Sequence, residues 1–438
     1  MNILHYSLGF PPYRSGGLTK FCMDLMKEQV KEGNRVSLLW PGEIQIFSKS
    51  TKIKKNKSIK DISNYEVINP TPVPYDEGIF DISEFIAEGD LKVYEQFLKT
   101  VHPDIIHIHT FMGLHKNFLV AARNIGIKTV FTTHDFFPIC PKVMLFRDGM
   151  ICPDAKSCDS CPKCNLTALS LKKMQILQSP VYRTFKDNLI VKKIRKTHRD
   201  EYLSVQKNTE ITPTRTAEEY RKLRDFYKSF LDLVNIVHYN STITKEVYEK
   251  YMGERKSVLI PITHGDIQDH RKKKKFLPPL KITYLGPMGE AKGFFCLKAV
   301  LDDLNKERND FILNVFFHKQ GLPHYIKQHD RYSYSQLESI MDKTDVLITP
   351  SVWNETFGYT VIEAMSYGVP VIVSNQVGAK DVIPKGAGFI VNNKHELTKA
   401  VESLNIKLLE SMNQSIIESF QILTMNEFNR ILLENLQQ

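Results

Sequence analysis

Nowhere in the 438 residues does an Asp-x-Asp occur. The chain therefore lacks the short carboxylate clamp that holds a divalent cation against a diphosphate, and no catalytic Mg²⁺ is expected. No run approaches the ~18 consecutive apolar residues a membrane-spanning helix needs. The N-terminus, Met1-Asn2-Ile3-Leu4-His5-Tyr6, has no basic start and no small-residue cleavage site. It reads as a first strand, which fits a cytoplasmic protein. Tryptophan is scarce, and neither an internal repeat nor a low-complexity tract is visible, which excludes a solenoid and a disordered scaffold.

What is present describes an ordinary globular chain, 42% hydrophobic and 10% aromatic, long enough for two or three domains. The formal net charge of +10 is clustered at Lys54, Lys55, Lys57 and Lys60, at Lys192 to Lys196 with Arg195, and at Arg271 to Lys275. Solvated loops, nucleic acid, an acidic substrate or an anionic membrane face would each account for such clusters. No RNA-binding or zinc-finger spacing accompanies them, so nucleic acid is not expected. A peripheral membrane position is.

The most informative stretch runs from Thr344 to Val377. Val346 to Thr349 is a buried strand closed by Pro350; a helix spans about Gly358 to Tyr367; Gly368 and Pro370 stop it, and Val371 to Val373 begin the next strand. This is one unit of a parallel α/β sheet, in which ligands gather at the carboxyl ends of strands. The helix N-terminus suits a phosphate. Glu355 before the helix and Glu363 within it suit hydroxyl groups on either side. A phosphate flanked by hydroxyls describes a nucleotide sugar. The Glu spacing alone recurs at Glu210/Glu218 and Glu402/Glu410, so its setting carries the argument.

In that setting, with Thr356-Phe357-Gly358 between the two acids and Gly-Val-Pro-Val after them, the stretch resembles the donor site of glycosyltransferase family 4. The resemblance covers nearly the whole chain. It implies a GT-B fold: two Rossmann-like α/β domains facing a cleft, with a C-terminal helix crossing back. The expected division is an acceptor domain (1–268) with a Cys-rich and helical insert at about 138–230, a linker (269–279), a donor domain (280–414) and the returning helix (415–438). It implies retaining transfer from a nucleotide-sugar donor to a glycan or lipid-linked acceptor in cell-surface polysaccharide synthesis. A sugar-nucleotide epimerase of the same fold and a non-catalytic sugar or lipid-carrier binding protein are the alternatives.

By the resemblance Glu355 orients the donor sugar, Glu363 holds the ribose, and the N–H groups of Phe357, Gly358, Tyr359 and Thr360 face the diphosphate. Lys292, in Lys292-Gly293, binds the diphosphate as well, but Pro287 stands where relatives place an Arg. Gly16-Gly17 match a turn facing the cleft. His134, in His134-Asp135-Phe136, matches the His that contacts the donor sugar, so Glu355, His134 and Lys292 are the expected catalytic residues. His107 is expected in the core, and His109 is ambiguous.

Five of the seven cysteines lie between Cys140 and Cys164, and Cys158, Cys161 and Cys164 form C-x-x-C-x-x-C. A structural zinc held by Cys152, Cys158, Cys161 and Cys164 is feasible. An iron–sulfur cluster, reduced thiols or disulfides remain alternatives.

Overall fold

A computed structural model describes residues 1–45, 47–74, 78–153, 156–185, 188 and 214–437. The Lys192 to Lys196 cluster lies outside them, as does part of the expected Cys-rich and helical insert.

The first domain contains β1 (Asn2–Tyr6), β2 (Arg35–Pro41), β3 (Lys52–Ile59), β4 (Ile62–Ile68), β5 (Ile105–Ile108) and β6 (Lys128–Thr132). A small hairpin of β7 (Phe146–Arg147) and β8 (Met150–Ile151) follows, then β9 (Ile236–Tyr239) and β10 (Ser257–Leu259). Its main sheet runs β10-β9-β6-β5-β1-β2-β4-β3. Every neighbouring pair is parallel except β3 with β4. The short runs Ile-Ile-His-Ile and Ile-Val-His-Tyr are buried throughout, as parallel strands covered on both faces must be. At the antiparallel edge, Lys54, Lys55 and Lys57 of β3 are exposed, and such charges blunt edge-to-edge pairing.

The second domain contains β11 (Leu280–Tyr284), β12 (Phe311–Val315), β13 (Ile326–Gln328), β14 (Val346–Thr349), β15 (Val371–Ser374) and β16 (Gly388–Val391). They form one parallel sheet ordered β13-β12-β11-β14-β15-β16. A single apolar cluster ties the domains together. It joins Phe21, Ile105, Val130 and Ile236 of the first to Phe357, Val361 and Val371 of the second. The carboxyl ends of both sheets therefore face one another across a fixed seam.

Two sequence expectations need correction. The C-terminal segment from 415 is two helices, Ile406–Ser419 and Met425–Gln437, with Phe420 extended between them. Thr424 and Glu427 cap each other's backbone N–H groups, at 3.3 and 3.0 Å, and restart the helix. The second helix does cross onto the first domain: Phe428 packs edge-on against Phe21 at 5.3 Å. The other correction concerns the insert drawn to residue 230. Helix Ala217–Leu231 buries Tyr220, Tyr227 and Phe230 in the first-domain core, so it is a crossover helix before β9 and not an addition.

The third basic cluster is structural as well. Arg271 donates to the carbonyls of Ile416 and Phe420 at 3.1 and 2.8 Å, closing a helix C-terminus. Lys274 donates to Met341 O at 2.7 Å, and Lys272 pairs with Asp342.

Candidate active site

The second-domain half of the cleft is built around Glu355. Its backbone is stitched into the sheet: its N–H donates to Gln376 O at 2.8 Å, and its carbonyl accepts from Gly378 N at 3.0 Å. A loop paired in this way holds its side chain as a strand would. One carboxylate oxygen meets Lys292 Nζ at 2.5 Å, and the other accepts from Ser351 Oγ at 2.7 Å. Lys292 is aimed by Gly293, which caps helix Phe294–Glu307 at φ +73°. A Cβ there would sit 1.8 Å from Pro350 O, so only glycine brings this turn against the loop. The Lys292 ammonium lies 5.3 Å from the Trp353 ring centroid.

Behind Glu355, helix Tyr359–Ser366 begins from Gly358 at φ +98°. The N–H groups of Tyr359 and Thr360 at its start have no intrahelical carbonyl to meet, while Val361 N–H donates to Gly358 O at 3.2 Å. Across the cleft stands Gly17, where a Cβ would lie 3.2 Å from the Tyr359 ring; Gly16 takes φ +112°. The Tyr359 hydroxyl and the Trp353 indole N–H are buried without a partner among the described residues. Orphaned buried donors beside a cation and free helix N–H groups fit a polar ligand.

Glu363 is sealed, 2% exposed. One of its oxygens accepts from His264 Nε2 at 3.0 Å. A ribose hydroxyl would have to share a carboxylate already committed to that imidazole.

His134 follows β6 and is half-buried, its ring 4.8 Å from that of Phe21. Burial, with His238 adding to it, lowers its pKa to about 3. Asp135 beside it is pushed up to about 7, again by burial. The His134 carbonyl accepts from Thr356 Oγ1 at 3.1 Å, and Thr356 O accepts from Ser241 Oγ at 2.7 Å. Asp381 accepts from the N–H and hydroxyl of Thr242 at 2.6 and 2.7 Å. Glu355, Lys292, Gly17 and His134 are thus gathered at one seam. His107 is buried in the core on Thr132 Oγ1 at 2.7 Å, whereas His109 contacts His134 at 3.3 Å.

Cys22, Cys140, Cys158, Cys161 and Cys296 are free thiols. Cys158 and Cys161 share a hydrogen bond that lowers the Cys158 pKa, with Arg224 and Arg221 adding to it. Among the described residues, the side chains that bring three ligand atoms within 4.8 Å of one another are His5, His107 and His109. Cys152, Cys158, Cys161 and Cys164 form no such set among the described residues.

Sequence reasoning missed Ser351 and Trp353, both inside the stretch from Thr344 to Val377, and His264. Ser241, Thr242 and Asp381 had no sequence signal.

Comparison with known proteins agrees with the geometry. The family described as Glycosyl transferases group 1 matches residues 266–418, and Glycosyltransferase Family 4 matches residues 15–154. An uncharacterized 42.6 kDa protein in the cps region of Klebsiella pneumoniae is 22% identical over 393 residues, 86% of each chain. Spore coat protein SA of Bacillus subtilis is 28% identical over 149 residues, 30% of this chain and 40% of its own. Among solved structures, sucrose-phosphate synthase from Thermosynechococcus elongatus shares the fold at TM-score 0.55 and 13% identity, covering 99% of this chain and 98% of that one. The trehalose-phosphate synthase of Burkholderia xenovorans does so at TM-score 0.56 and 12% identity, covering 100% and 99%. With family matches on both halves and two facing parallel sheets, this chain belongs to the group 1 and family 4 glycosyltransferases of GT-B fold.

Proposed function

We propose that the enzyme transfers a sugar, with retention, from a nucleotide-sugar donor to a glycan or lipid-linked acceptor in cell-surface polysaccharide biosynthesis. The observation that carries this reading is the Lys292–Glu355 pair set before a helix N-terminus and facing the first domain. Glycosyl transfer develops negative charge on the departing diphosphate and positive charge on the sugar. Fixed donors and charges aimed at such sites supply the largest share of catalysis. Lys292 and the N–H groups of Phe357, Gly358, Tyr359 and Thr360 take the diphosphate; Glu355, released from Lys292, takes the sugar side. A donor phosphate oxygen on the attacked face accepts the acceptor's proton, so no protein base is needed and no bound divalent metal enters the scheme. The cps-region relative supports the polysaccharide setting. No described helix is long and apolar enough to cross a membrane; the exposed lysines of β3 suit an anionic lipid face where a lipid-linked acceptor would lie.

Thermal-shift screening of nucleotide sugars, followed by nucleotide release with and without acceptor extract in EDTA, tests the reading. Release that requires acceptor and survives EDTA is expected. Acceptor-independent release of free product would mean an epimerase, and tight binding without turnover a carrier.

A further inference from the structure

Behind His134 runs a line of hydrogen-bonded side chains that the transfer chemistry does not call for. His134 Nε2 lies 3.3 Å from His109 Nδ1, and His109 Nε2 lies 2.9 Å from His5 Nδ1. His5 Nε2 is 2.7 Å from Gln29 Oε1. Gln29 Nε2 donates to Asn429 Oδ1 at 3.0 Å, and Asn429 Nδ2 donates to Glu32 Oε2 at 2.5 Å. His5, His109, Gln29 and Asn429 are buried, while Glu32 ends the line at the surface.

The line has a direction. An ionised carboxylate only accepts, so Asn429 turns its NH₂ to Glu32 and leaves its oxygen for the Gln29 NH₂. Gln29 then presents its own oxygen to His5, which must carry its proton on Nε2 and a lone pair on Nδ1. The same choice passes to His109 and then to His134, which donates its Nε2–H inward and keeps Nδ1 bare. No described residue partners that Nδ1. Burial keeps the imidazoles neutral: His5 falls to about 4, and His109 lies well below the usual histidine range. His5, His107 and His109 are also near enough to share a metal, but both ring nitrogens of His5 and of His109 are already spent in this line.

We propose that Glu32, through Asn429, Gln29, His5 and His109, fixes His134 as the neutral Nε2–H tautomer, whose bare Nδ1 accepts a hydrogen bond from a donor-sugar hydroxyl. The proposal rests on the donor-sugar reading of His134. The relay residues are positioning residues, and one of them comes from the crossing helix Met425–Gln437. That helix therefore sets the chemistry of the cleft as well as packing against the first domain. A hydroxyl meets an acceptor only, and no cation is placed beside the sugar carbon where positive charge develops.

Full-length protein carrying ¹⁵N-histidine, with the His134 signal identified by its loss in His134→Gln, reports the tautomer by NMR without substrate. Wild type should show Nε2 protonated and Nδ1 bare at neutral pH. Glu32→Lys replaces the terminal acceptor with a donor at an exposed position, so every link should reverse. His134 should then carry its proton on Nδ1, and transfer should slow by about tenfold or more, since a mis-set histidine tautomer cripples catalysis. Gln29→Met should give mixed tautomers, and Glu32→Asp should restore the wild-type signal and rate. The proposal is overturned by an Nδ1–H tautomer in wild type, by no change in either Glu32→Lys or Gln29→Met, or by a reversed tautomer with unchanged turnover. A stoichiometric metal ion bound at His5, His107 and His109 would also overturn it. Failure of wild type to use any nucleotide sugar would instead remove the functional reading and leave the NMR result standing.

Discussion

The two halves of the cleft are built in opposite ways. In the second domain, Ser351, Glu355, Gly358 and Glu363 sit within one strand–helix unit, and Lys292 alone comes from elsewhere. In the first, the residues around His134 arrive from β1, β5 and β6, from helix Gly17–Lys31 and from the crossing helix. The donor half depends on backbone pairing that a short stretch supplies for itself. The first-domain half depends on buried polar contacts between distant segments. Backbone pairing within one strand–helix unit is a local device and so condenses into a motif; buried neutral imidazoles need a whole domain to exclude water.

The comparison breaks first under acid. His5, His115 and His238 have folded pKa values of about 4, and His134 of about 3, against 6.5 when unfolded; His107 and His109 lie well below the ordinary value, all chiefly through burial. These imidazoles take up protons only on unfolding, so their contribution is intact above pH 6.5 and is lost as pH falls toward about 4. Each costs about 1.4 kcal/mol per pH unit in that window. Asp135, raised to about 7, runs the other way and regains stability as it protonates, but it is one group against several. Denaturant melts from pH 7 to 5 should show a loss of several kcal/mol, with first-domain signals going first. If the second domain unfolds at the higher pH, the contrast between the halves is wrong.

A smaller effect is expected from the crossing helix. Phe428 is fully buried against Phe21 and His238, so Phe428→Ala should cost about 3–5 kcal/mol. Chemical denaturation gives the number, and a loss below about 1 kcal/mol would mean that the helix merely lies on the surface.

The donor half is tested by kinetics. Glu355→Gln should lower turnover by about a hundredfold or more, roughly 2.7 kcal/mol of transition-state stabilisation. Glu363→Gln should raise the donor KM by a lesser amount, about 1–2 kcal/mol, because its carboxylate also anchors His264. Normal turnover in Glu355→Gln alongside a dead Glu363→Gln would reverse these roles.

Much was legible before any coordinates. The buried run at Val346, the punctuation by Pro350, Gly368 and Pro370, and the Thr356-Phe357-Gly358 setting of Glu355 are local consequences of strand burial and turn chemistry, and local rules read them. The Thr424–Glu427 cap that divides the C-terminal region was equally local but went unread, which is why one helix was expected where two occur. Other features had no sequence signature. That Lys292 and Glu355 would meet, that Arg271 would close a helix end, and that Glu32 would reach His134 through residues far apart in the chain all depend on which segments the fold brings side by side. Side-chain period and turn residues act over a few positions, so the chain by itself determined its buried strands and the loop that carries Glu355. Hydrogen bonds between segments form only once the core has excluded water around them, so the tertiary structure alone decided how the histidines are joined and how the two domains close on one seam.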